Sequence, residues 1–205
     1  MIRLAATHPD WALGFEDEVW WSRLSQPALH AWSEPKETLR LEELTVPKGD
    51  PDPKALACYG LLLRLGGSDP EAEGQVWLRF VEGRPVSEQT IQYLTWACDE
   101  LANVGKKALL LVWDNASWHL SGAVRDWIKA HNREVKRTGR GVRLVVCRLP
   151  SKSPWLNPIE PRWVHGKRRV VEPARLLTAQ ELSERVYDAF GCPHLPPLPM
   201  PKKVS

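Results

Sequence analysis

The apolar run Ala108 to Trp113, closed at once by Asp114 and Asn115, constrains this chain more than any other stretch. A segment that is apolar at every position has no solvated face. It reads as a strand buried on both sides, the usual setting of a central parallel strand. Asp114 then sits at the carboxyl end, where open α/β sheets build their ligand sites. Asp-Asn is also a common turn pair, so position alone leaves Asp114 open between turn residue and ligand.

The elements around this strand can be read in order. Trp11 to Ser22 alternates apolar Phe15, Val19 and Trp21 with polar or acidic residues, the period of a strand. On a regular strand Asp17 shares the face of Phe15 and Val19, whereas Glu16 and Glu18 point the other way. A solvated edge strand accounts for three adjacent acids equally well. Ala28 to Trp32 is a candidate second strand, and the polar stretch from Glu34 to Pro53 has the length of loops that serve function or motion. Leu56 to Leu65 and Gln75 to Val81 read as strands joined by the wide turn GGSDPEAEG, an antiparallel meander. Ser87 opens a helix with Ile91, Leu94, Cys98 and Leu101 on one stripe, ended by Gly105. After the central strand, Ser121 caps a helix whose inner face carries Val124, Trp127, Ile128 and His131. Its far end and the following loop are basic, with Lys129, Arg133, Lys136, Arg137, Arg140 and Arg143, which suits either a solvated face or a phosphate-contacting one. Val142 to Leu149 is a further strand.

That strand leads into LPSKSPWLNPIEPRW, Leu149 to Trp163. Asn157 is a favourable N-cap, Pro158 suits the first helical position, and Glu160 falls three residues after the cap. Glu160 can therefore close a capping box on the Asn157 amide. Alternatively, Pro154, Pro158 and Pro161 fix the approach of the helix and hold Glu160 in one place, as a metal ligand must be held. The helix continues through His165, Lys167, Arg168 and Arg169. Trp155, set between prolines, is a candidate for base stacking or loop support. Thr178 to Glu181 is a capping box opening a last helix with Leu182, Val186 and Phe190 inward. From Pro193 the proline-rich chain, ending in Lys202 and Lys203, is expected to be extended and disordered.

At 205 residues there is room for one well-cored domain, expected over 1–192 with 193–205 as the tail. Hydrophobic residues at 43% and charged residues at 26% exclude wholesale disorder. A net charge of +3 permits a nucleic-acid partner without demanding one. Cys58, Cys98, Cys147 and Cys192 have no zinc-site spacing and fit a reducing compartment. With no signal peptide and no apolar run of membrane-spanning length, the expectation is a soluble cytoplasmic protein without a membrane partner. No GxSxG elbow or P-loop is present, so serine-hydrolase and nucleotide-cradle chemistry find no support.

Three acids delivered from two strands and a helix, Asp17, Asp114 and Glu160, suit divalent-metal phosphoryl transfer. Hard cations take oxygen ligands, and two ions roughly 3.5–4 Å apart can clamp the attacking and leaving oxygens. WDNASWH and LPSKSPWLNPIEPRW, with FEDE as a weaker third part, resemble the DDE transposases of the mariner-like insertion-sequence group between Trp11 and Val171. The resemblance implies an α/β, RNase H-like fold with a mixed five-stranded sheet flanked by helices. It implies Asp17, Asp114 and Glu160 as the catalytic, metal-binding triad, with Asp17 shared between two Mg2+ ions, or Mn2+ as substitute. The implied reaction is phosphodiester hydrolysis at element ends followed by transesterification into target DNA. The implied partners are double-stranded DNA and a second copy in a homodimer. Lys136, Arg137, Arg140, Lys167, Arg168 and Arg169 are the candidate DNA-binding residues. His119, which matches the DN…H pattern, stands with Trp155 and Asn157 as candidate site support.

Two features depart from the family pattern. The interval from Asp114 to Glu160, 160 − 114 = 46 positions, is longer than is typical, and the excess is assigned to the basic loop from Asn132 to Gly141. Family members also carry an N-terminal helix-turn-helix region, whereas here only 17 − 1 = 16 residues precede the first acid. The expectation is a bacterial, nucleoid-associated chain that is the second half of a split reading frame with its helix-turn-helix half encoded separately, a separately made catalytic domain, or a truncated remnant. A general RNase H-like nuclease and an inactive remnant acting as a DNA-binding or dimerisation module remain the alternatives.

Overall fold

The computed structural model describes residues 5, 7–24, 45–66, 73–151, 153–170, 172 and 175–201. The candidate strand Ala28 to Trp32, most of the polar stretch that follows it, and the centre of the GGSDPEAEG turn lie outside these residues. Five strands form one sheet: β1 (Trp11–Ser22), β2 (Ala55–Leu65), β3 (Gln75–Val81), β4 (Ala108–Trp113) and β5 (Arg143–Arg148). The sheet order is β3-β2-β1-β4-β5. The first three strands form an antiparallel meander, and β1, β4 and β5 run parallel. β4 is buried at every residue, as its unbroken apolar run requires. This mixed five-stranded sheet flanked by helices is the RNase H-like arrangement.

The helices divide between the two faces because each strand alternates its side chains. On one face Tyr59, Leu61, Leu109, Leu111 and Trp113 pack with α1 (Ser87–Asn103), whose Tyr93, Leu94, Ala97, Cys98 and Leu101 are buried. Tyr59 and Tyr93 stack there at 4.7 Å between centroids. Val124 of α2 (Gly122–Thr138) joins the same cluster. On the other face Phe15, Val19, Cys58, Leu62, Leu110 and Val112 meet Trp163 and Val170 of α3 (Glu160–Val170), and Leu182, Val186 and Tyr187 of α4 (Ala179–Phe190). α4 opens with the capping box expected at Thr178 and Glu181.

α2 and the tail differ from expectation. The basic stretch from Asn132 is helical through Thr138, so Lys136 and Arg137 lie on the last helical turn. Only Gly139 to Val142 form the connection to β5, and Gly139 takes the left-handed conformation that ends the helix. The helix persists because its side chains find partners on the strand. His131 Nε2 donates to the Val142 carbonyl at 2.8 Å, and the Asn132 amide both donates to and accepts from the Leu144 backbone at 2.8 Å.

The segment expected to be a disordered tail is ordered over Pro193 to Pro201. It is extended, and it lies along β3. Leu198 is buried, its N–H donates to the Phe80 carbonyl at 2.7 Å, and its carbonyl accepts from Glu82 N at 2.9 Å. Leu198 forms a parallel bridge with Val81. Proline cannot donate to a sheet, but an interposed leucine can, and one buried side chain with two backbone bonds docks the segment. Lys202 and Lys203 lie outside the described residues. Leu198→Ala is expected to lower unfolding free energy by about 2 kcal/mol, at the low end for a buried leucine because the docking site is peripheral. Urea denaturation would measure it, and an unchanged midpoint would show that the docked segment adds nothing to the fold.

Candidate active site

The register between β1 and β4 sets the site. Phe15 lies opposite Val112 in the parallel pair, and continuing that register by two residues brings Asp17 level with Asp114. Adjacent strands run about 4.8 Å apart, so the two carboxylates arise on neighbouring strands at the same end of the sheet. Glu160 arrives from the first turn of α3. All three line one cavity of about 380 Å³ with Asn115, Leu149, Pro150, Ser153, Pro154 and Asn157 among its walls.

Each acid is held differently. Asp17 accepts a hydrogen bond on Oδ2 from Trp163 Nε1 at 2.8 Å. Trp163 reaches this point because Gly60, the β2 residue paired with Asp17, has no Cβ. A methyl group there would collide with the Trp163 ring. Gly166 repeats the device one helical turn later, where Trp21 and Phe190 pack close against α3. Trp21, Trp163 and Phe190 form an edge-to-face cluster with centroids 5.6 to 6.3 Å apart. Asp114 accepts on Oδ1 from Ala116 N at 2.8 Å and contacts His119 Nδ1 at 2.9 Å on the same oxygen.

The capping box proposed for Glu160 is not formed. The Asn157 N–H donates to the Pro154 carbonyl, and α3 begins at Glu160 rather than at Pro158. Asn157 is buried, and its side-chain amide donates to the Glu16 carbonyl at 3.0 Å, stitching the proline-set turn to β1. Tertiary contact has taken the side chain from the helix end. Asn115 makes the matching stitch on the other wall, donating to the Leu149 carbonyl at 2.7 Å.

Electrostatically the cavity is crowded with like charge. Burial pushes the Asp17 carboxyl up to about 7, with Glu160, Glu18 and Asp114 adding to the rise and the Trp163 hydrogen bond opposing it. Asp114 is held below the usual carboxylate range, first by the His119 hydrogen bond. Asp17 is thus the acid that feels both of the others.

Glu16 and Glu18 point to the opposite face of β1, as alternation requires. There they meet His119, whose Nε2 lies 3.3 Å from Glu16 Oε2 and 3.0 Å from Glu18 Oε1. Burial disfavours charge on His119, yet Glu16, Asp114 and Glu18 together outweigh it and push the imidazole up to about 11. Among the described residues, Glu16, Glu18 and His119 are also the tightest group of metal-ligand types, with ligand atoms within 4.8 Å of one another. His119 is stacked on Trp113 at 4.3 Å and is almost fully buried.

The candidate basic residues are not brought together. Lys167, Arg168 and Arg169 are exposed on α3, the helix that begins with Glu160. Lys136, Arg137 and Arg140 follow α2 to the amino-terminal end of β5, the opposite end of the sheet from the carboxylates, and Arg137 is paired with Glu134 at 2.5 Å. Trp155 is exposed and flanks the cavity through Pro154. Sequence alone gives Trp163, Glu16 and Glu18 no part in the site. For Trp163 the available signal was Gly60, an interior strand glycine of the kind that marks close approach.

A sequence model of the DDE superfamily endonuclease family matches residues 70–183, more than half of the chain and including Asp114 and Glu160. The chain belongs to the DDE superfamily endonuclease family. No curated protein matches its sequence. Among solved structures, the Mos1 transposase paired-end complex with left transposon end superimposes with a TM-score of 0.61 at 14% identity, covering 91% of this chain and 49% of that one. The Mos1 strand transfer complex gives 0.57 at 13% identity, with 91% and 48% covered. At such identities the likeness is one of fold. This DDE-family chain spans about half the length of those Mos1 chains. No helix among its described residues is long and apolar enough to cross a membrane.

The raised Asp17 carboxyl has a thermodynamic consequence. The folded chain keeps this proton to about 7, whereas an unfolded aspartate releases it near pH 4. The folded state therefore binds more protons in that window, and its stability falls as pH rises through it. Asp17→Asn is expected to melt higher than wild type at pH 8 in chelator, with the difference closing towards pH 4. Melting curves across that range check this; a variant that melts no higher at pH 8 would show that Asp17 does not lose stability on ionising in its buried, crowded setting.

Proposed function

We propose that this chain is the catalytic domain of a DNA transposase, cleaving the ends of a mobile element and joining them to target DNA with Asp17, Asp114 and Glu160 as its metal-binding acids. The observation that carries this is the meeting of the three acids, from β1, β4 and α3, on one cavity at one end of the sheet. The donor set fits hard divalent cations, since it offers carboxylate oxygens and neither thiolate nor imidazole on the cavity side. Burial lifts Asp17 to about 7, with Glu160, Glu18 and Asp114 adding to the rise, and a bound cation would offset that added repulsion. Bound there, two Mg2+ or Mn2+ ions would activate the attacking oxygen and stabilise the leaving one.

The residues divide the work. Asp17, which feels both other acids, would hold the cations together with Asp114 and Glu160. Trp163 fixes Asp17 through Oδ2, and the turn anchored by Asn157 sets the start of α3, so Glu160 does not depend on a mobile loop. Lys167, Arg168 and Arg169 offer cations to DNA phosphates on the same helix as Glu160. Lys136, Arg137 and Arg140, at the other end of the sheet, make a second and separate contact. Trp155 offers an exposed ring beside the cavity for an unpaired base. A paired assembly of two copies on two element ends is supported by the fold shared with Mos1, whose structure includes a paired-end complex.

The deciding experiment is metal-dependent nicking of labelled duplex carrying the element's terminal repeats, with the upstream reading frame supplied alongside. Wild type is expected to nick, and Asp114→Asn and Glu160→Gln to lose at least 100-fold in rate, about 2.7 kcal/mol or more of transition-state stabilisation. Cleavage indifferent to the repeats would make the protein a general nuclease. Salt-sensitive DNA binding without cleavage, unaltered by chelation, would make it a binding module.

A further inference from the structure

We infer that His119 is a positioning residue that fixes the orientation of the Asp114 carboxylate, with one oxygen turned to the cavity, and that Glu16 and Glu18 hold the imidazole there from the opposite face of β1. The inference rests on the reading of Asp114 as a metal ligand.

Asp114 is half-exposed, with 50% of its side-chain surface open, so packing alone does not fix its carboxylate. Two groups do, and both act on one oxygen. Ala116 N donates to Oδ1 at 2.8 Å, and His119 Nδ1 lies 2.9 Å from the same atom. A carboxylate oxygen has two lone-pair directions, so Oδ1 is filled and Oδ2 is left for a ligand. Asp114 therefore presents a single oxygen to the cavity. Without His119, the single Ala116 bond would leave the carboxylate free to turn about its Cβ–Cγ bond.

His119 can impose this choice because it is itself immobile. Its ring lies flat on Trp113, 10° from parallel, and is almost fully buried. Its other nitrogen faces Glu18 Oε1 at 3.0 Å and Glu16 Oε2 at 3.3 Å. Glu18 is steadied in turn by the Trp118 indole. Both carboxylate oxygens of Glu16, and His119 Nε2, are buried without a strict hydrogen-bond partner, so the 3.3 Å approach of Nε2 to Glu16 Oε2 is a contact that offsets the burial of both. β1 thus serves the site from both faces, with Asp17 directly and with Glu16 and Glu18 through the imidazole. Partners that orient a ligand in this way affect metal affinity 10- to 100-fold.

The test separates the two ends of the imidazole. In His119→Gln the amide can reach the position of Nε2 and keep the glutamate contact, but nothing donates at Nδ1. In the triple variant His119→Asn, Glu16→Gln, Glu18→Gln, the asparagine amide stands where Nδ1 was and no buried charge is stranded. Mn2+ binding is measured by titration calorimetry on DNA-free protein, counting folded molecules only, with metal-dependent nicking run in parallel. His119→Gln is expected to bind Mn2+ 10- to 100-fold more weakly, and the triple variant to recover to within about threefold of wild type. Equal affinity in His119→Gln and wild type, or equal loss in both variants, would overturn the positioning role. Asp114→Asn is the control for the underlying reading. If it binds Mn2+ as wild type does, or if wild type binds none, Asp114 is not a ligand and the functional assignment fails with it.

Discussion

Parallel pairing of β1 with β4 is the constraint on which the rest of the molecule depends. β4 is dry on both faces and cannot be displaced without exposing an entire apolar strand. β1 is fixed to it over five paired positions and to β2 along its whole length. A slip of one residue between β1 and β4 would exchange the faces of the strand, carrying Asp17 away from the cavity and Glu16 into it. The core therefore specifies the placement of the acids, and the energy that holds like charges together is drawn from packing remote from them.

That arrangement makes the site a region of stored repulsion within a well-packed sheet. Trp163 donates to Asp17 and His119 contacts Asp114, so two acids have a partner on the protein side, each through one oxygen. In both cases the partner is a ring locked by neighbours: Trp163 by Trp21, Phe190 and the gap at Gly60, His119 by Trp113. Aromatic packing and carboxylate orientation are one feature seen from two sides.

The five strands of the sheet and the spans of α1 and α4 were legible because each has a local signature. Alternation around Phe15 and Val19 assigned Asp17 to one face and its two acidic neighbours to the other, and the sheet has that alternation. Asn157 was misread because N-cap statistics describe a side chain with only its own helix to serve, whereas a buried amide beside β1 is claimed by the Glu16 carbonyl. The helical extent of α2 was missed because its basic residues look like a loop when the backbone partners of His131 and Asn132 lie beyond the turn. The docking of Leu198 was hidden by surrounding prolines. The Glu16, Glu18 and His119 group had no local sign, since 119 − 18 = 101 positions separate its parts.

The two outer strands of the sheet share a property with consequences for assembly. Outer strands usually present unsatisfied amides and carbonyls that invite another chain to add on. Here Leu198 pairs with Phe80 on β3 and with Glu82 just beyond it, and the Asn132 amide imitates a neighbouring strand at Leu144 on β5. Each border is thus capped at these points from within the same polypeptide. A strand added there would first have to displace Leu198 or the Asn132 side chain, so the sheet resists extension where it is capped, and the spacing of its acids is insulated from it.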